Sequence, residues 1–173
     1  MARKKIIPDT EVYQLIRTLL AQGGDKAVSF HSVGRACGLA APTLVQRFGA
    51  RDAMLRAALA DGWDRLEAAT MAIETEAPLT AKGAQAFLKA LAEDAPECAE
   101  LALLAADFRD ALLRDRAESW RARVEAAIAS RLGGGAKARE AAAILFAAWQ
   151  GQQLWLAAGG KGFRLKDAVQ RLK

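Results

Sequence analysis

The sequence predicts an all-α protein of about nine helices, in which an N-terminal three-helix helix-turn-helix domain precedes a helical bundle. Composition is one basis of this prediction, because Ala, Leu, Glu and Arg are abundant while the 173 residues include four Pro and 6% aromatic residues. Such a mixture favours helix over strand. The second basis is the recurrence of apolar residues at intervals of three and four, which is typical of helices with one buried face. We expect domains over residues 1–50 and 51–173.

The first 50 residues divide into three helices separated by glycine. The first helix is predicted from Thr10 to Gln22, and Gly23 and Gly24 end it because glycine accepts the left-handed conformation found at many helix ends. The second helix follows Ser29, a residue type that caps helix N-termini well. The third is predicted over residues 41–48, where Pro42 is tolerated because it falls in the first turn.

Two short helices joined by a turn that contains glycine form a helix-turn-helix unit. Its expected core is a set of apolar side chains, namely Phe30, Val33, Leu39, Leu44 and Phe48. Gly34 and Ala36 are expected to allow close approach of the helix backbones. The solvent side of the third helix carries the residues that would enter a major groove, namely Ala41, Thr43, Val45, Gln46 and Arg47.

Positive charge is concentrated in the first third of the chain. Nine basic and four acidic residues lie between Met1 and Arg56, so this segment carries the whole net charge of +5. A localised basic region suits the phosphate backbone of nucleic acid, although a merely solvated face has the same composition. Arg3, Lys4 and Lys5 leave the same two alternatives open, an arm along DNA or a solubilising tail.

The remaining two thirds of the chain are predicted to form a helical bundle. A long fourth helix begins near Arg51, a fifth opens at Pro78, and a sixth follows Pro96. Trp120 marks the seventh helix, and an apolar eighth helix is expected over residues 136–158, after a run of three glycines. A last short helix contains apolar residues at helical spacing, namely Phe163, Leu165, Val169 and Leu172.

Residues 27–55, AVSFHSVGRACGLAAPTLVQRFGARDAML, resemble the DNA-binding segment of TetR-family transcriptional regulators. The shared order is a capped second helix, a turn of the family's Ala-Gly-Val/Leu type at Cys37-Gly38-Leu39, and a recognition helix that ends in Phe. The resemblance covers about the first third of the chain and implies a cytoplasmic homodimer that binds a palindromic operator in double-stranded DNA.

The resemblance also implies a set of DNA-binding residues, namely Ser29, His31, Ala40, Ala41, Pro42, Thr43, Val45, Gln46, Arg47 and Arg51. Gln46 and Arg47 stand where side chains reach the groove, and glutamine and arginine can pair with adenine and guanine or hold phosphate. The chain departs from the family where Ala40 replaces the usual Ser or Thr cap, Ala41 a polar residue and Val45 a tyrosine. Ala50 also replaces the ordinary cap of helix four. Apolar Ala41 and Val45 could touch thymine methyl groups instead.

Pairing of TetR-type chains through their last long helices implies a dimer interface, with candidates Leu145, Ala148, Trp149, Gln152, Trp155, Leu156 and Val169. The resemblance further implies an effector cavity among helices four to seven, whose candidate lining is Trp63, Met71, Phe87, Phe108 and Trp120. Large apolar residues at helical spacing are more often core than ligand contacts. Since no polar cluster accompanies them, we expect an apolar or aromatic effector that releases a repressor from DNA.

Other classes of protein find little support in the sequence. Cys37 and Cys98 are far apart and lie outside any CxxC motif, which indicates reduced thiols, although Cys98 could also sense oxidants. His31 is the only histidine, so we expect no metal and no cofactor. The N-terminus lacks the apolar region of a signal peptide, and no apolar run approaches the ~20 residues that span a bilayer.

Catalytic motifs are also missing, since the chain has no glycine-rich phosphate loop, serine elbow or His/Cys cluster. We therefore expect no enzyme. The main alternative is a helical ligand-binding or adaptor protein whose helix-turn-helix no longer binds specific DNA, and Ala40, Ala41 and Val45 favour it. A weaker alternative is a helical-bundle enzyme that acts on a lipid or aromatic compound.

Overall fold

The computed structural model describes residues 7–94, 101–156 and 158–171, with the backbone alone at residues 101 and 102. This described part contains nine α-helices and no strand, which confirms the predicted all-α class. The helices are α1 (Asp9–Gly23), α2 (Phe30–Cys37), α3 (Ala41–Phe48), α4 (Arg51–Glu76), α5 (Ala81–Asp94), α6 (Leu101–Asp107), α7 (Ala111–Arg131), α8 (Gly135–Leu156) and α9 (Leu165–Arg171). Pro96, Cys98, Leu172 and residues 3–5 lie outside the described residues.

Two compact units divide the chain. The first comprises residues 1–64 and 101–114, and the second comprises residues 65–100 and 115–173. The first unit therefore contains α6 and the first half of α4 in addition to the three helices expected there. The predicted domain boundary at residue 50 stays a prediction.

The core of the first unit forms around the apolar face of α1. Val12, Ile16 and Leu20 are fully buried at helical spacing. Arg17 is buried among them, and its guanidinium donates to the carbonyl of Ala58 at 2.8 Å and to the carboxylate of Asp61 at 2.7 Å. Because the acceptors lie on α4, this buried ion pair fixes α1 against α4.

Local sequence explains the geometry of the helix-turn-helix. Ser29 and Ser32 form a capping box at the start of α2, in which each hydroxyl accepts a hydrogen bond from the other residue's backbone N–H, at 2.9 and 3.0 Å. Gly38 ends α2 in the left-handed conformation, with φ of 74°. A Cβ on Gly34 would lie 2.6 Å from the carbonyl oxygen of Leu39, so only glycine lets the turn lie this close to α2.

The outcome for the predicted core of this motif is mixed. Val33 and Leu44 are fully buried, whereas the other three members are half-buried. The role expected of Ala36 was wrong, because its side chain is exposed to solvent and Gly34 alone makes the close approach.

A buried carboxyl group lies at the end of α6 in the first unit. Asp107 is 5% exposed, and within the described residues its Oδ1 accepts no hydrogen bond. Burial raises the pKa of this carboxyl to about 6, although a side-chain hydrogen bond from Trp63 opposes the shift and the negative Asp110 adds to it.

The second unit has its own apolar core. Its fully buried apolar members larger than alanine are Phe87, Leu88, Leu91, Val124, Ile128, Leu145 and Trp149. Trp120 is also buried, and its indole N–H donates to the hydroxyl of Thr70 at 2.9 Å, which satisfies both polar groups inside the core. The Phe146 ring packs edge-on against Trp120, with centroids 5.9 Å apart.

Candidate nucleic-acid interface

The exposed face of α3 is the best-defined candidate surface in the first unit. Pro42, Val45 and Gln46 are exposed at positions i, i+3 and i+4, while Leu44 on the opposite face is completely buried. Ala41 and Thr43 are half-buried beside this stripe. The face is apolar at Pro42 and Val45 and polar at Thr43 and Gln46.

The N-terminus of α3 is open to solvent. Ala40 occupies the N-cap position in an extended conformation, and no side chain caps the helix there. The first N–H groups of a helix have no intrahelical acceptor and carry partial positive charge. In α3 this leaves the N–H of Ala41, because Pro42 has no N–H and the N–H of Thr43 donates to the carbonyl of Ala40 at 2.9 Å. A phosphate oxygen could approach this N–H, since the first turn contains no acidic residue.

On α2, the side chains His31 and Arg35 are both exposed, one turn apart. Arg35 was missing from the predicted set, although its spacing from His31 and the opposite placement of Val33 and Cys37 could have revealed it. The hydroxyl of Ser29 is occupied by the capping box, so its predicted approach to phosphate would rest on the backbone at the start of α2.

Arg47 lies on α3 but contacts the first residue of α1 and the segment before it. Its guanidinium forms an ion pair with Asp9, donates to the carbonyl of Ile7 at 3.0 Å and lies over the ring of Phe48 at 5.6 Å. These contacts hold Arg47 against the first unit, so reaching a base or phosphate would require it to exchange them.

Arg51 has a structural task at the start of α4. Its Nε donates to the carbonyl of Val28 at 3.0 Å, and one Nη donates to the carbonyl of Asp25 at 2.6 Å. The carboxylates of Asp25 and Asp52 lie 2.9 and 3.0 Å from its nitrogens. The hydrogen bond to the Asp25 carboxylate raises the pKa of Arg51. Arg51 therefore ties α4 to the segment before α2, a role the sequence did not reveal.

Internal ion pairs consume much of the positive charge expected to face nucleic acid. Arg17, Arg47 and Arg51 pair as described above, and Arg56 contacts Asp110 at 2.5 Å. Among the described basic residues of the first 56, Lys26 and Arg35 form no ion pair and are exposed. Fewer basic side chains are therefore available to face nucleic acid than the sequence alone suggests.

The candidate effector residues belong to both units. Trp63 and Phe108 belong to the first unit, and Met71, Phe87 and Trp120 belong to the second. Trp63, Phe87 and Trp120 are buried, but Met71 and Phe108 are each 52% exposed and therefore lie on the surface. The assignment of these five residues to an effector cavity stays a prediction.

The candidate dimer residues also separate into two groups. Leu145, Trp149 and Val169 are buried within the protomer and have no surface to offer a partner, which corrects their assignment to the interface. Ala148, Trp155 and Leu156 are exposed on α8, and Gln152 is half-buried. Ile144, which is 50% exposed, lies one turn before Ala148 and extends the same apolar stripe.

The described part of the chain offers neither a metal-binding cluster nor a helix that could span a membrane. Within residues 7–94, 101–156 and 158–171, no three His, Cys, Asp or Glu side chains cluster in a way that could hold a metal ion. None of the helices in that part of the chain is both long and apolar enough to cross a membrane.

Two solved structures resemble the whole described fold. A transcriptional regulator from Rhodococcus sp. Rha1 matches with a TM-score of 0.67 and 20% identity, covering 96% of this chain and 94% of its own. A Rhodococcus protein assigned to the TetR family of transcriptional regulators matches with a TM-score of 0.61 and 21% identity, over 95% and 93% of the two chains. No protein-family model and no curated protein matches the sequence.

These likenesses extend over nearly the full length of each chain, so they concern the bundle as well as the helix-turn-helix. The chain therefore has the fold of TetR-family transcriptional regulators, as the resemblance of residues 27–55 predicted.

Proposed function

We propose that the protein is a sequence-specific, DNA-binding transcriptional regulator that acts as a homodimer. The observation that carries this proposal is the exposed face of α3, which stands on a fixed helix-turn-helix with an open N-terminus. A helix presented in this way fits the major groove of B-form DNA. We infer no catalytic activity.

Each exposed residue of the interface has a definite role in this proposal. Gln46 would hydrogen-bond a base edge, and Val45 would contact a thymine methyl group. The start of α3 and the exposed Arg35 and His31 of α2 would hold phosphates and so fix the register of α3 in the groove. Arg47 would contribute after leaving Asp9, and Arg51 would act by positioning α4.

The homodimer is proposed to form through the exposed apolar stripe of α8. Ile144, Ala148, Trp155 and Leu156 are exposed there although they are apolar, and a neighbouring α8 could cover them. Two-fold pairing would place two α3 helices on the half-sites of a palindromic operator. Repression that is relieved by a small apolar effector completes the proposal, and it rests on the fold likeness alone.

Selection of bound fragments from random double-stranded DNA tests the proposal. The purified chain should enrich a palindromic site, and Gln46→Ala should weaken binding to that site by about tenfold, since a bidentate base contact contributes about 1–3 kcal/mol. Gln170→Ala removes an exposed glutamine from α9 and serves as the matched control, which should bind like the wild type.

Failure of the selection would favour the alternative function. If the chain binds DNA only non-specifically, and that binding disappears as salt rises, the basic residues act merely as counter-charges to phosphate. The apolar substitutions at Ala40, Ala41 and Val45 would then mark a helix-turn-helix that serves a helical ligand-binding or adaptor protein.

A further inference from the structure

The side chain of Arg47 is held by contacts within the first unit. Its Nη2 both pairs with the carboxylate of Asp9 and donates to the carbonyl of Ile7 at 3.0 Å. The guanidinium also lies over the ring of Phe48, which packs against Tyr13 with centroids 6.0 Å apart. The cation is therefore already engaged when the chain is free of DNA.

The position of Arg47 on α3 puts it at the flank of the exposed face. Successive residues of a helix are rotated by about 100°, so Arg47 lies about 140° from Pro42 and about 60° from Leu44. Leu44 is fully buried, whereas Pro42 is exposed. If the exposed face of α3 meets base edges, an arginine at its flank lies beside the sugar-phosphate backbone. The acceptor that DNA offers to Arg47 would then be a phosphate.

Exchange of the carboxylate for a phosphate is feasible at this place. The side chains of Arg47 and Asp9 are 28% and 49% exposed, so water screens their ion pair and its contribution to stability is small. Asp9 is the first residue of α1, where the unpaired N–H groups of the helix favour a negative charge. Its carboxylate would therefore remain stabilised after Arg47 had left.

The exchange nevertheless gains less than a free arginine would. DNA has to break the contact with Asp9 before it can use Arg47, and the carboxylate then stays close to the phosphates and repels them. Before and after the exchange, Arg47 and Asp9 together contribute no net charge to this flank. A neutral residue at position 9 would leave a charge of +1 there.

We propose that Asp9 competes with a DNA phosphate for Arg47 and thereby lowers the affinity of the protein for DNA. The inference rests on the proposed function and deepens it, because it names the contact that limits binding by α3. A structural role of the same ion pair has the opposite consequence. If the pair held α3 in the orientation that DNA requires, its removal would weaken binding.

Fluorescence anisotropy with the full chain tests the proposal on two duplexes of equal length, one with the selected palindrome and one of unrelated sequence. Asp9→Asn should tighten binding to both by about threefold to fivefold, since phosphates are common to every sequence. The logarithm of the association constant should also fall more steeply with the logarithm of salt concentration, by up to about 0.9 in slope. Glu11→Gln removes the same charge from an exposed residue of the same turn and should change both quantities less.

A double-mutant cycle assigns the effect to Arg47. In an Arg47→Ala background, Asp9→Asn should tighten binding no more than Glu11→Gln does, because the competition has no object. Circular dichroism of each variant verifies the helical fold.

The outcomes separate this inference from the proposed function. Absence of an enriched palindrome would overturn the proposed function, while the unrelated duplex still tests the competition. The inference is overturned if Asp9→Asn binds both duplexes no more tightly than the wild type, or if its gain persists without Arg47. A gain on the palindrome alone would overturn the assignment of Arg47 to a phosphate.

Discussion

Gly34 shows how one missing side chain decides the shape of the helix-turn-helix. The space that a Cβ would need is taken by the carbonyl oxygen of Leu39, 2.6 Å away, and this oxygen belongs to the backbone of the turn. The sequence predicted a close approach at this residue because glycine within a short helix usually has a packing reason. It could not distinguish Gly34 from Ala36, because the partner backbone is visible only in the folded chain.

Replacement of Gly34 by Ala should destabilise the protein by about 1–3 kcal/mol, because the turn must shift away from α2. Gly151→Ala is the matched control, since a Cβ at Gly151 in α8 meets nothing within 4 Å. This control should gain up to about 1 kcal/mol from helix propensity. Urea unfolding of the wild type and the two variants, compared in the same oligomeric state, measures both changes in the free energy of unfolding. Equal stability of the two variants would contradict the steric argument.

The buried carboxyl of Asp107 should make stability depend on pH. Because its folded-state pKa is raised to about 6 from 3.8, the native state binds one more proton than the unfolded chain between these values. Stability that is present at acidic pH is therefore lost as the pH rises through about 6, by about 3 kcal/mol in total. Asp107→Asn should remove this loss, since the amide stays neutral.

Urea unfolding at pH 5 and pH 7.5 measures this effect. The stability gained by Asp107→Asn should be larger at the higher pH, whereas Asp115→Asn, at an exposed position of α7, should show no such increase. A gain that is the same at both pH values would mean that Asp107 titrates normally in the folded state.

The limits of sequence reasoning at the scale of residues are clearest for the arginines. Arg47 and Arg51 have the residue type and spacing of phosphate contacts, and both were predicted as such. Their partners Asp9 and Asp25 lie 38 and 26 positions earlier in the chain. Periodicity and caps are local signals, so pairings over this distance could not be predicted from them.

At the scale of elements, the helix boundaries followed from local chemistry. The predicted third helix agrees with α3 at both ends, because Pro42 fixes its first turn and Gly49 its end. The eighth helix was predicted over residues 136–158 and observed as Gly135–Leu156, and its start follows from the adjacent run of glycines. The faces of α8 were not predictable, since a helix apolar on most sides gives no periodic signal for the side that meets the core.

The missing cap of α3 should respond to a single substitution. Ala40 already has the extended conformation of an N-cap residue, so Ala40→Ser can add a hydrogen bond to the start of α3 without moving the backbone. We expect a gain of about 0.5–2 kcal/mol. Ser29→Ala removes the existing cap of α2 and should cost a similar amount. Thermal unfolding compares the two variants, and a loss of stability in Ala40→Ser would show that the start of α3 needs the apolar residue.

At the scale of the whole molecule, the fold was predictable from the N-terminal third while the unit structure was not. The resemblance of residues 27–55 indicated the fold that the two solved structures share. That α6 and the first half of α4 belong to the same unit as the helix-turn-helix depends on long-range packing, which no local pattern encodes. The proposed dimer also depends on the whole molecule, because it requires the exposed stripe of α8 to meet a second chain.

Substitution on the exposed stripe of α8 tests that dimer. Trp155 is 71% exposed, and Trp155→Arg should dissociate the dimer by placing a charge where apolar surface would be buried. Leu79→Arg changes a residue that is 74% exposed between α4 and α5, and it should leave the oligomeric state unchanged. Light scattering after size exclusion gives the mass of each variant. If Trp155→Arg remains a dimer, the interface does not include this stripe and lies on another surface.

The buried ion pair of α1 and α4 constrains how this sequence can diverge. Arg17 needs the carboxylate of Asp61 beside it, and it also needs the absence of a side chain at Gly62, where a Cβ would lie 3.1 Å from its Cδ. Loss of either charge alone would strand the other in the core, which is more damaging than replacing both by apolar residues. Positions 17, 61 and 62 should therefore covary across homologous sequences, with a large residue at 62 appearing only where the arginine has gone.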